Sequence, residues 1–149
     1  MTTYEKLIAE LGEGLGIDLA PDDAGFAEIA AEDQTLTIRA DETGENELLA
    51  FTTIATAPEE GFSADTLKRA LKANLFGREV IGHHLGIFAD SLILSATIPL
   101  ADLTSETLAE RLLLLARAAG QLADSFDTPA PASESDTSTF SFGGDILQV

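Results

Sequence analysis

The sequence predicts an α+β fold: a helix, a three-stranded antiparallel meander, a second helix, a β-hairpin and a long C-terminal helix, followed by a tail. Three observations carry this expectation. Apolar residues recur at helical spacing in three separated segments, a period of two replaces that spacing between them, and polar turns rich in Gly, Asp, Asn and Pro divide one segment from the next. With 149 residues, 45% of them hydrophobic, the chain can bury one core and is short for two. The expected division is an α+β domain over residues 1–127 and a linker with an apolar C-terminal tail over 128–149.

Thr2 and Glu5 have the spacing of a capping box, so the first helix starts there. Tyr4, Leu7, Ile8, Leu11 and Leu15 share one face, until Gly12, Gly14 and Gly16 weaken the helix and Pro21 stops any continuation. Residues 26–32 read as a strand and 32–34 as a turn. Beyond it Leu36, Ile38 and Ala40 alternate with Thr35, Thr37 and Arg39. After the polar turn at 43–46, residues 48–56 are apolar on both faces, which predicts a strand covered on both sides. Ser63 can cap a second helix, with Asp65 in its first turn, Leu67, Leu71 and Leu75 on one face and Gly77 as terminator. Segments 85–89 and 92–98 form a hairpin around Asp90-Ser91, closed by Pro99. Thr104 caps the longest helix, whose stripe of Leu108, Leu112, Leu115, Ala119, Leu122 and Phe126 is widened by Leu113, Leu114 and Ala116 to cover a sheet. Residues 128–138 have a linker composition, whereas Phe140, Phe142, Ile146, Leu147 and Val149 do not.

Charge narrows the function. There are 26 acidic and 8 basic residues, a formal net charge of -18. Such a field repels nucleic acid and anionic lipid and keeps the protein dispersed. Four of the eight bases, Lys68, Arg69, Lys72 and Arg78, fall in one short stretch that could face the acidic remainder of a second copy. No apolar run reaches the roughly 18 residues of a membrane-spanning helix, so no membrane insertion is expected. The start of the chain lacks the regions of a signal peptide and there is no cysteine, which together predict a cytoplasmic location.

Chemistry-bearing motifs are few. His83 and His84 are adjacent, and neighbouring residues on a strand point to opposite faces, so they are poorly placed to share a metal. No Gly-x-Ser-x-Gly elbow occurs and no Gly-Lys-Ser or Gly-Lys-Thr marks a phosphate loop. Glycines 12, 14 and 16 follow a helix, unlike the strand-to-helix turn of a dinucleotide site. The acidic segment 41–47 has Asn46 where a calcium loop beginning at Asp41 requires glycine, and reads as a solvated turn. No enzyme activity, catalytic residue, metal or cofactor is expected.

The element order, together with Leu71-Lys72-Ala73-Asn74-Leu75-Phe76-Gly77, Leu85-Gly86-Ile87, Asp90, Leu92-Ile93-Leu94, Ile98-Pro99-Leu100 and the leucine-rich last helix, resembles the class I type III secretion chaperones of the CesT and Tir chaperone family. The resemblance covers roughly residues 1–127; the tail has no counterpart in the shorter members. It implies a small acidic chaperone without ATP use, around whose dimer an effector segment wraps in extended form, docking on the first helix and the sheet. Candidate client-binding residues are Leu7, Leu11, Phe26, Ile29, Leu36, Ile38, Leu49 and Phe51, although apolar alternation marks buried faces first and most are expected to be core. A homodimer is expected on the second helix and hairpin, where Leu67, Leu71, Leu75, Phe76 and Ile87 offer more apolar surface than one small sheet needs to cover. The tail is expected to dock in extended form through Phe140, Phe142, Ile146, Leu147 and Val149. The alternative is a YbjN-like interaction or regulatory module that binds folded proteins and is unconnected with secretion.

Overall fold

A capping box opens the computed structural model, which describes residues 1–75 and 83–127. Thr2 Oγ1 accepts from Glu5 N at 3.1 Å while Glu5 Oε2 accepts from Thr2 N at 3.1 Å, and helix α1 runs over Thr3–Leu15. Gly12 and Gly14 lie inside this helix, and Gly16, at φ 71°, supplies the left-handed cap. Strands β1 (Ala27–Ala31), β2 (Gln34–Ala40) and β3 (Glu47–Thr56) follow as the expected meander. Helix α2 (Ala64–Asn74) starts at Ser63, whose hydroxyl accepts from Thr66 N at 3.1 Å, and is capped by Leu75. It therefore stops before Gly77, which lies outside the described residues. Strands β4 (His84–Phe88) and β5 (Ser91–Pro99) form the hairpin, with Ala89-Asp90 as its two turn residues where Asp90-Ser91 was expected. Helix α3 (Ser105–Asp127) begins at Thr104, whose Oγ1 accepts from Thr107 N at 3.1 Å.

The five strands make one antiparallel sheet in the order β1-β2-β3-β5-β4. Residues between β3 and β5 carry α2 and return the chain as a new edge strand, so sequence neighbours β3 and β4 are separated by β5. All three helices serve one side of this sheet. α3 lies across β3, β2, β5 and β1 and touches α1, while α2 packs beside β4. Between sheet and helices sits a single core in which Ile8, Leu36, Ile38, Leu48, Leu92, Leu94, Ile98, Leu108 and Leu115 are sealed from solvent. Each such side chain contributes about 1.5–3 kcal/mol by leaving water.

Alternation along the strands assigns the other side. In β3 the buried residues are Leu48, Ala50, Thr52 and Ile54, whereas Leu49, Phe51 and Ala55 are half-buried and Thr53 is exposed. The expectation that this strand is covered on both faces therefore needs correction. Among the described residues only the core face is covered, because α1, α2 and α3 all gather on it.

Candidate functional site

The open side of the sheet is built by the residues that point away from the core. They include Glu28 and Ala30 on β1, Thr35, Thr37 and Arg39 on β2, Glu47, Leu49, Phe51 and Thr53 on β3, Ile93, Ser95 and Thr97 on β5, and His84, Gly86 and Phe88 on β4. Strand register sets their neighbours. Phe51 stands between Thr37 and Ser95, Leu49 between Arg39 and Thr97, and Ile93 between Thr53 and Gly86. Leu49, Phe51, Ile93 and Phe88 thus form a diagonal apolar row across three strands, at the spacing where large side chains on one sheet face meet. Hydroxyls flank the row. The acids of this face stand at its margins, Glu28 opposite Thr37 on edge strand β1 and Glu47 at the start of β3, and Arg39 is the one Lys or Arg on the five strands, in a chain whose net charge is -18. Arg39 lies 5.3 Å from the ring centroid of the half-buried Phe26, which extends the surface past β2. Asp33, Gln34, Thr35, Thr37, Phe51 and Thr53 line a shallow groove of about 400 Å³ at the end nearest the β1–β2 turn.

A second apolar surface lies on α2. The helix turns Ala70 and Ala73 inward and leaves Leu67, Leu71 and Leu75 outward, Leu71 being 71% and Leu75 50% exposed. Ile87 on neighbouring β4 is also 50% exposed. Two side chains hold α2 in place. Asn74 donates from Nδ2 to Leu85 O and accepts at Oδ1 from Leu85 N, both at 2.8 Å, so it closes the hydrogen-bonding edge of β4 at that residue. Arg69 donates to the Ser125 carbonyl and lies 4.8 Å over the Phe126 ring, which ties α2 to the last turn of α3.

The acidic segment 41–47 is a clasp on α1, which corrects its reading as a merely solvated turn. Asp41 Oδ1 accepts from Asn46 N and Glu47 N, and Oδ2 from Thr43 Oγ1 and Asn46 Nδ2. So shaped, the loop presents Gly44 O to Tyr4 N at 3.0 Å and the Glu45 carboxylate to Thr3 N at 3.0 Å. A carboxylate at a helix N-terminus satisfies orphan amides and complements the helix dipole. The hydroxyl of Thr43, ahead of the other bonds, holds the Asp41 carboxyl well below the usual range, and Thr3 lowers Glu45 in the same way. Tyr4 completes the anchoring: its hydroxyl lies 3.0 Å from Ile38 O and 3.1 Å from Gly25 O, and burial pushes its pKa up to about 12.

The candidate client-binding residues divide sharply. Leu7, Leu11, Ile29, Leu36 and Ile38 are core, packed beneath the helices. Phe26, Leu49 and Phe51 reach the open side. Phe88 and Ile93, absent from that set, belong to the same surface. Of the expected dimer residues, Leu67, Leu71, Leu75 and Ile87 lie together on α2 and β4, and Phe76 is outside the described residues. So are the tail positions Phe140, Phe142, Ile146, Leu147 and Val149. His83 precedes β4 and His84 is its exposed first residue; among the described residues no three His, Cys, Asp or Glu side chains are grouped to hold a metal. Among them also, no helix is long and apolar enough to cross a membrane.

Comparison with known proteins identifies this arrangement. Solved structures similar in fold include the following three. A chain from the crystal structure of the Yersinia pestis type III secretion chaperone SycH with a stable fragment of YscM2 is 22% identical, with TM-score 0.59, over 80% of this chain and 98% of that one. A chain of the HopA1–SchA chaperone–effector complex gives 20% identity and TM-score 0.62 over 82% and 94% of the two chains. A chain of the ExsC–ExsE complex gives 20% identity and TM-score 0.66 over 83% and 96%. No curated protein matches the sequence. The family model of the Tir chaperone protein (CesT) family matches residues 6–123, from the first helix to the last turns of α3, and the YbjN-like alternative is not favoured. The chain belongs to the Tir chaperone protein (CesT) family.

Proposed function

We propose that this protein is an export chaperone that binds an extended N-terminal segment of a secreted effector and keeps it soluble and competent for type III secretion. The observation that carries the reading is the apolar row Leu49, Phe51, Ile93 and Phe88 on an open sheet, in a chain of the Tir chaperone family. Soluble proteins rarely leave a contiguous apolar surface without a partner for it. An extended polypeptide suits this one, since side chains at alternate positions can lie on the row while the intervening ones stay in water. Phe26, Leu49 and Phe51 are the client contacts retained from the sequence, joined by Ile93 and Phe88. One of the similar structures is itself a chaperone–effector complex.

The protein acts as a cytoplasmic homodimer and without catalysis. Leu67, Leu71, Leu75 and Ile87 form the pairing surface, on α2 and the helix side of β4, whereas the client row uses the opposite face of the sheet. A closed two-fold pair of this kind buries about 800 Å² per partner. Lys68 and Lys72, on the same helix, meet an acidic second copy.

Co-expression with N-terminal segments of secreted proteins from the same organism tests the reading. The chaperone copurifies with such a segment and shields it from protease without giving it a folded core. Failure to retain any of these segments under conditions where the chaperone is folded contradicts it.

A further inference from the structure

The 22 residues after α3 contain an uncharged run, Thr137-Ser138-Thr139-Phe140-Ser141-Phe142-Gly143-Gly144, inside an otherwise acidic chain. Its chemistry, aromatic rings alternating with hydroxyls, matches the open side of the sheet, where Leu49, Phe51 and Ile93 have threonines and serines among their cross-strand neighbours and the carboxylates Glu28, Asp33 and Glu47 stand at the margins. Phe140 and Phe142 are two apart, so an extended backbone turns both rings to one side, as β3 does with Leu49 and Phe51.

The last described turns of α3 lie on the route to that surface. Arg117 Nε is 4.0 Å from the Glu32 carboxylate, and Ala123 and Asp124 line a cleft shared with Asp33 and Gln34. Asp33 and Gln34 also line the groove that contains Phe51. From Asp127, the 12 residues 128–139 reach about 40 Å when extended. This exceeds the roughly 33 Å length of the 10-residue strand β3.

We propose that the C-terminal segment around Phe140 and Phe142 docks on the open side of its own chain's sheet, over Leu49, Phe51 and Ile93. It covers the apolar row while no client is present, and a client must displace it. The displacement rests on the client reading above; the docking does not.

The test uses the full chain and contains no client, so its failure is distinct from a failure to copurify with one. The sequence has no tryptophan, so Phe51→Trp places a single reporter on the row. Acrylamide quenching of this reporter is compared with quenching in the same chain carrying Phe140→Ser and Phe142→Ser. Docking predicts a red shift and an at least about twofold larger quenching constant once the tail phenylalanines are removed, because the ring loses its apolar cover. Leu49→Trp is the second reporter, used if Phe51→Trp disturbs the fold by circular dichroism. Equal quenching with and without the tail phenylalanines overturns the proposal. Protection that survives their removal and disappears on dilution also overturns it, by assigning the cover to a second copy.

Discussion

Gly44 and Gly16 have the same backbone angle, φ 71°, and different surroundings, which makes them a matched pair for testing the clasp on α1. Alanine at either site is forced into the left-handed region at a cost of about 1 kcal/mol. At Gly16 nothing lies within 4 Å of the added methyl, so that strain is the whole effect. At Gly44 the methyl would stand 2.9 Å from both Thr2 Cβ and Thr2 Oγ1. One of them must move. Thr2 Oγ1 is the capping acceptor for Glu5 N, and the carbonyl of Gly44 receives Tyr4 N, so movement loosens the cap and the clasp together. Loss of an N-cap costs about 1 kcal/mol and a hydrogen bond a similar amount, which puts Gly44→Ala at about 2–3 kcal/mol against about 1 for Gly16→Ala. Urea unfolding followed by far-UV circular dichroism, at one fixed protein concentration, measures both. The difference should vanish when Thr2 is replaced by Gly, since the obstruction is then gone. Equal destabilisation at the two glycines in the unaltered background, within about 0.5 kcal/mol, would refute the clasp.

Three further outcomes follow from the same geometry. Asp41, Glu45 and Glu5 have lowered folded-state pKa values, so the unfolded chain binds more protons in acid; their stabilisation is complete above about pH 5.5, clear of the unfolded values, and fades as pH falls through the unfolded and then the folded values. Thr43→Ala removes the largest cause at Asp41 and should flatten this acid limb in urea midpoints measured against pH; an unchanged slope counts against the assignment. Asn74→Ala leaves the Leu85 N–H and carbonyl without their partner and should cost about 1–3 kcal/mol, with increased aggregation through the freed edge, readable by unfolding and turbidity. Leu71→Glu, at a largely exposed position, should leave circular dichroism unchanged and convert the proposed dimer to monomer in light scattering; a persisting dimer would exclude the α2 surface.

Local chemistry made most of the fold legible. Thr2 with Glu5, Ser63 and Thr104 announce three helix starts, and the stripe from Leu108 to Leu122 is the face that α3 buries. The site was harder to read because it depends on contacts distant in sequence. Leu36 and Leu49 are both apolar strand residues; which of them is core follows only from the side on which the helices pack. Ile93 and Phe88 enter the surface because the chain passes through α2 before β5 returns to β3, a crossover that periodicity does not encode. Segment 41–47 is polar in composition, and its bond from Thr3 to Glu45 spans 42 residues. The length and apolar character of 48–56 did point to a strand with two demanding faces. What it could not specify is that one of those faces has no cover among the described residues.

The proposed client row is tested most directly by affinity for a copurifying effector segment, measured for the unaltered chain and for a variant carrying Leu49→Ser and Phe51→Ser. Both side chains are half-buried in the chaperone alone, so the fold should survive their replacement. Each is expected to contribute more than about 1 kcal/mol to a bound client by leaving water, so the double variant should bind at least about tenfold more weakly. An affinity within about twofold of the unaltered chain would contradict the assignment of the open sheet side as the client surface.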